Sequence, residues 1–202
     1  MARYKGAKLR ITRRLGDLPG LTSKTNSRTS RPGQHGSVNK KLTPYAIRLE
    51  EKQKLRFNYG ISEKQIMNYI KRAKRIKGAT GTILLQLLEM RLDNLVFRLG
   101  LAPTIPAARQ LVNHKHIFVN KTCVSIPSYE CHPGDTLTIK DSVNSKKIVL
   151  QNLESPTLST IPQHLDFDKK NLTAKILGII DREWVALKLN ELFVIEFYSR
   201  KI

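Results

Sequence analysis

Three blocks decide the fold: Arg91-Leu-Asp-Asn-Leu-Val-Phe-Arg98, Ala107-Ala-Arg-Gln-Leu-Val-Asn-His114, and His116-Ile-Phe-Val-Asn-Lys-Thr-Cys-Val124. Leu84, Leu88, Leu92, Leu95 and Leu99 recur three or four residues apart, which predicts a helix from Ile83 to Leu99, ended by Gly100. A second, short helix opens near Thr104, with Pro106 in its first turn, and runs to Val112. The third block reads as a β-hairpin turning on Asn120-Lys121; lysine is poorly suited to the positive φ required there, so the turn carries a cost. Pro133-Gly134-Asp135 then leads into a strand over Thr136–Lys140. Helix, turn, helix and small sheet together present one basic end, and such a unit suits nucleic acid. Its candidate contacts are Arg91, Arg98, Arg109, His114, Lys115 and His116.

Working towards the N-terminus, Thr43-Pro44 predicts an N-cap and first helical residue, and Gly60 a C-terminal cap. The helix between them mixes Arg48, Lys52, Lys54 and Arg56 with Leu49, Leu55 and Phe57, so its apolar stripe is weak. Ser62-Glu-Lys-Gln65 has capping-box spacing and starts another helix. There Ile66, Tyr69, Ile70, Ala73 and Ile76 keep the helical period, while Lys64, Lys71, Arg72, Lys74, Arg75 and Lys77 fill the opposite face. Gly78-Ala-Thr-Gly81 has the G-x-x-G spacing of a KH loop but lacks evident flanking strands, and reads as an inter-helix turn. The first 40 residues crowd arginine and lysine into a stretch followed by Pro19-Gly20 and Pro32-Gly33-Gln34-His35-Gly36, and are expected to be an extended arm. An Arg-rich, acid-poor start also suits a transit peptide.

Charge narrows the partner class. The 202 residues hold 36 Lys and Arg against 16 Asp and Glu, a formal net charge of +20. Residues 1–60 alone hold 15 basic and 3 acidic groups, whereas 156–202 hold 7 and 6. Such a gradient calls for a polyanion bound mainly by the N-terminal half. Hydrophobic residues at 40% suffice for a core. No run of about 18 apolar residues is present, which excludes a helical membrane span, and no membrane is expected among the partners. Two cysteines make no disulfide framework, so the chain reads as intracellular.

The blocks at 91–98, 107–114 and Val119-Asn120 closely resemble the RNA-binding domain named after the fourth protein of the small ribosomal subunit. Pseudouridine synthases and some aminoacyl-tRNA synthetases share that module. The start Met1-Ala-Arg-Tyr-Lys-Gly6, the loop Pro32–Gly36, the helix Arg48–Arg56 and Glu196-Phe-Tyr-Ser-Arg200 are similar to the ribosomal family itself, and the likeness covers essentially the whole chain. Leu18-Pro-Gly-Leu-Thr-Ser-Lys24, Leu85-Gln-Leu-Leu-Glu-Met90 and Ile179-Ile-Asp-Arg182 resemble the plastid branch. The resemblance implies plastid-encoded synthesis in the chloroplast stroma with no transit peptide before Met1; a bacterial cytoplasm, cyanobacterial for instance, is the alternative.

The family resemblance implies an α+β fold: a basic extended arm over 1–42, a helical domain from 43–90 plus 157–202, and an inserted alpha-L type module of two helices and a small antiparallel sheet over 91–156. Val185–Asn190 and Leu192–Phe197 are apolar enough for the helical core. The implied role is non-enzymatic: binding small-subunit rRNA at a multi-helix junction as a monomer within the ribosome, and helping to nucleate assembly. It also implies contact with the neighbouring fifth protein, with effects on decoding accuracy, and a place at the messenger RNA entrance. The matching rRNA contacts are Arg3, Tyr4, Lys8, Arg13, Arg14, Gln34 and His35 in the arm, then Arg48, Lys52, Lys54, Arg56, Lys71 and Arg72, together with the six module residues named above. Lys40 and Lys41 match the messenger RNA stretch, where Val38-Asn39 makes this chain less basic than many relatives.

Other functions fit less well. No nucleophile and base set, Walker-type loop or G-x-G-x-x-G occurs, and about 47 residues after position 155 are too few for a catalytic domain. A DNA-binding regulator shares the helix-turn-helix pattern but predicts a dimer on duplex. The zinc-binding cysteines that some relatives carry in the arm are absent, and Cys123, Cys131 and His132 make a poor ligand set, so no metal or cofactor is expected.

Overall fold

A computed structural model describes residues 4–37, 41–154 and 160–199. Arg3 and Lys40 lie outside these described residues. The chain divides into two compact units, 1–84 with 186–202 and 85–185.

The first unit is helical. Thr43 caps α2 (Pro44–Tyr59) through its hydroxyl, which accepts from the Ala46 N–H, and Gly60 closes the helix at φ 57°. The expected capping box opens α3 (Glu63–Arg75): Ser62 and Gln65 each satisfy the other's backbone N–H. Leu55, Tyr59, Ile66, Ile70 and Ala73 are buried, and α8 (Glu191–Ser199) packs against α2 with Val194, Phe197 and Tyr198 buried. The arm departs from the extended chain expected. Lys8–Leu15 is helical (α1), because Ile11 and Leu15 share one face among the arginines. Leu18 and Leu21 are buried beyond it, and Asn58 of α2 accepts the Gly20 N–H at 2.9 Å. Four apolar side chains and one buried hydrogen bond thus give order to a segment whose charge suggested none.

The second unit is α+β. The leucine run expected as one helix to Leu99 is broken. The helix α4 (Thr80–Glu89) stops, Arg91 takes extended angles and bridges Glu130, and α5 (Leu92–Arg98) begins anew. After Gly100, Thr104 caps α6 (Ile105–Asn113). Strands β1 (Ile117–Val119) and β2 (Thr122–Cys123) form the expected hairpin with Val119 opposite Thr122, and Asn120 and Lys121 adopt φ 49° and 65°. β3 (Thr136–Ile139) pairs with β1.

Beyond β3 the structure departs from the expected boundaries. A helix, α7 (Val143–Glu154), follows, then an antiparallel pair, β4 (Leu165–Asp168) and β5 (Thr173–Ile176). β5 hydrogen-bonds to β3, giving a five-stranded antiparallel sheet in the order β2-β1-β3-β5-β4. The described part of 157–185 therefore completes the sheet, and only 186–202 joins the helical unit. The physical reason is edge pairing: β3 alone would expose an unpaired edge, and β5 covers it with Ala174 buried opposite Leu137.

Candidate nucleic-acid interface

The charged residues of the second unit fall into two groups. One faces inward. Asp93, 1% exposed, accepts from Arg91 at 3.0 and 2.8 Å and from Arg109 at 2.7 Å. Glu89, also buried, accepts from Asn94 at 2.6 Å and from Arg98 at 2.9 Å, while Arg98 reaches the Trp184 carbonyl at 2.9 Å. Buried ions need such partners, since an unpaired one is costly to desolvate. Arg91 and Arg98, expected as RNA contacts, are 3% and 4% exposed and serve instead as internal cations that fix α5. Arg109 is partly exposed but committed to Asp93.

The other group faces outward. α6 buries Ile105, Ala108, Leu111 and Val112, and its chain turns sharply at Lys115, φ 62°. That turn leaves His114 and Lys115 exposed. His116 is half-buried, with Nδ1 2.9 Å from the Ser145 hydroxyl of α7 and its ring 6.1 Å from that of His114. Burial first, then the charges of His114 and Lys140, lower the His116 pKa from its usual 6.5. Lys140, missed in the sequence reading, joins this cluster because its N–H donates to the His116 carbonyl at 2.8 Å. The pairing of β1 with β3 explains the placement: Ile117 opposite Ile139 sets their neighbours 116 and 140 side by side.

In the first unit the long helix α2 is more self-sufficient than its lysines suggested. Lys52 is buried, 3.1 Å from Glu63, with its ammonium 4.7 Å from the centre of the Phe197 ring. Burial by itself would raise the Glu63 pKa, but hydrogen bonds from Tyr198 and Lys52 outweigh it and lower the value. Lys54 pairs with Glu51 at 2.6 Å and Arg48 with Glu196 at 2.6 Å. Arg56 is half-buried between Gln53 and the Phe57 ring. Lys52 is therefore committed inward, whereas Arg48, Lys54 and Arg56 remain partly accessible.

The open cation surface of this unit lies elsewhere. On α3, Ile66, Ile70 and Ala73 are buried while Lys64, Lys71, Arg72, Lys74 and Arg75 are exposed, with Lys77 exposed just beyond. In the arm, Tyr4, Arg14, Gln34, His35 and Lys41 are exposed. Lys8 donates to the Leu21 carbonyl at 3.3 Å, and Arg13 to that of Ser30 at 3.0 Å, so both brace the arm. Among the described residues, no group of three or more His, Cys, Asp and Glu is placed to hold a metal ion. Cys131 is buried, which with nearby carboxylates pushes its thiol up to about 12, while Cys123 is exposed.

Two helices on an antiparallel sheet, with cations at the second helix end, are the layout of an RNA-binding module. Residues 3–89 match the family described as ribosomal protein S4/S9 N-terminal domain, and residues 90–137 match the S4 domain. The small ribosomal subunit protein uS4c of Emiliania huxleyi is 80% identical over 202 residues, the full length of both chains. The uS4c protein of Guillardia theta is 65% identical over 201 residues, and the uS4 protein of Thermosynechococcus vestitus 61% over 202, again over 100% of each. The chain belongs to the uS4 family of small ribosomal subunit proteins, which are structural proteins rather than enzymes.

Proposed function

We propose that this protein is a structural component of the chloroplast small ribosomal subunit that binds small-subunit rRNA directly at a multi-helix junction. The observation that carries this is the α3 face, where Lys64, Lys71, Arg72, Lys74 and Arg75 line one exposed side of a helix whose other side is core. The cluster of His114, Lys115, His116 and Lys140 supplies a second contact on the inserted module. Lysine and arginine neutralise phosphates and set affinity, while the fold of the RNA is read as shape. Early binding at a junction fits a role in nucleating subunit assembly. Contact with the fifth protein, support of decoding accuracy and a place for Lys41 near incoming messenger RNA extend the same reading.

Sedimentation of chloroplast lysate tests it: the protein should travel with small subunits at moderate salt, and residence in the soluble fractions would overturn it. With six to ten phosphate contacts, affinity for the isolated rRNA should fall by about 10³–10⁵ between 50 and 200 mM salt.

A further inference from the structure

The first unit holds a cleft of about 490 Å³ between α1, α2 and the Pro32-Gly33 turn. Its size is that of sites taking small organic groups. The walls are apolar where Ile11, Leu15, Leu49 and Phe57 contribute, and cationic where Arg10, Arg14 and Arg56 do. Tyr4, 50% exposed, stands edge-on to Phe57 with ring centres 5.5 Å apart, so much of its ring is open to a further planar group. The one carboxylate in the wall, Glu50, is already matched by Arg31 at 3.0 Å. Among the described residues, neither Arg10 nor Arg14 is held in an ion pair, and both are exposed.

An apolar floor beneath two uncommitted guanidinium groups suits a ligand that is flat and apolar at one end and anionic at the other. A cationic amine would be repelled, and an uncharged apolar molecule would leave the arginines unused. A paired base cannot enter, because its faces are stacked and its edge is occupied; an extruded base can lie on aromatic and apolar side chains while its phosphate is neutralised. We propose that this cleft receives one unstacked nucleotide of RNA, its base against Tyr4, Leu49 and Phe57 and its phosphate between Arg10 and Arg14. The inference rests on the rRNA-binding reading above and adds to it a site for a single extruded residue.

The test uses the full-length protein and a single-stranded hexanucleotide RNA carrying 2-aminopurine at an interior position, whose emission changes when the base leaves its stack. A saturable change is expected with the single strand and not with the same sequence in a duplex. Leu49→Trp, which fills the cleft, and Arg14→Ala, a surface change away from the core, should each weaken the response at least tenfold. If Leu49→Trp disturbs folding, Arg14→Ala carries the test alone. No emission change, an equal response to duplex, or undiminished response in Arg14→Ala overturns the inference. Binding of the unaltered protein to whole small-subunit rRNA, measured in the same buffer, reports separately on the broader reading: if it persists while the hexanucleotide signal fails, only the cleft assignment falls.

Discussion

Arg109 Nε lies 2.7 Å from Asp93 Oδ2, the same oxygen that accepts from Arg91 at 2.8 Å, so one buried carboxylate joins α6 to the start of α5. Asp93→Asn keeps the size of the side chain but leaves Arg91 buried beside a neutral amide. Breaking a buried pair in this way costs about 3–5 kcal/mol. Urea unfolding should show a loss of that size, and a change under about 1 kcal/mol would contradict the role assigned to Asp93.

Cations of the two groups should respond differently to removal. Arg98→Met strips Glu89 of a partner inside the second unit, so it should lower stability by about 3–5 kcal/mol. Lys115→Ala removes an exposed charge, so it should leave stability within about 0.5 kcal/mol. On rRNA binding, Lys115→Ala should weaken affinity and lower the salt slope by about one. Filter binding across a salt series on both variants separates the two behaviours.

His164 is 8% exposed, and neither ring nitrogen has a hydrogen-bond partner among the described residues. Burial lowers its pKa below the usual 6.5, with Arg98 acting in the same direction and Glu89 and Asp181 opposing. The unfolded chain therefore binds a proton that the folded chain resists. The resulting stability is fully present above about pH 6.5 and is lost as pH falls from there towards the folded value. His164→Leu should reduce the slope of stability against pH over that window. His116 has the same sign, so a residual slope is expected; an unchanged slope would show that His164 does not contribute.

The hairpin turn carries strain that a single change relieves. Lys121 holds φ 65° in an exposed position, where a side chain costs about 1–2 kcal/mol relative to glycine. Lys121→Gly should therefore stabilise the protein by roughly 1 kcal/mol, raising the melting temperature by a few degrees.

Much of this architecture is written in local signals. Thr43-Pro44, Gly60 and the Ser62–Gln65 box delimit α2 and α3 because caps satisfy backbone groups within a few residues. Asn120-Lys121 fixes the hairpin register for the same reason. The break before α5 was not visible, since the leucines keep their spacing straight through it. The helix is interrupted by backbone pairing with a distant segment: Arg91 bridges Glu130, 39 positions away, and the Leu92 and Asp93 N–H groups donate to the Tyr129 and Pro127 carbonyls. Leu165-Asp-Phe-Asp168 and Thr173-Ala-Lys-Ile176 do alternate, but four-residue strands give weak signals, and the family outline drew that stretch towards the helical domain.

The exposed cation set was the least legible part. Residue type identifies a cation without saying which way it points: Arg91 and Arg98 turn inward towards Asp93 and Glu89, while Lys115 and Lys140 do not. The acids two and nine positions away, Asp93 and Glu89, were the available hint, since a buried cation needs a counter-ion within reach. Residues 71 and 72 on α3, by contrast, were legible because a regular apolar stripe leaves the opposite face no other place than solvent.

The sheet order β2-β1-β3-β5-β4 and the packing of α8 on α2 have a consequence for synthesis. Both units are finished by elements that lie far along the sequence, β5 closing the open edge of β3 and α8 covering α2. A nascent chain stopped near residue 155 already carries nearly all of the excess positive charge, since 156–202 add 7 basic and 6 acidic groups. It would be strongly basic yet have an unpaired strand edge and a bare helix face. Each open surface is thus closed by a stretch that adds almost no net charge, so the excess charge and the finished shape come from different parts of one sequence.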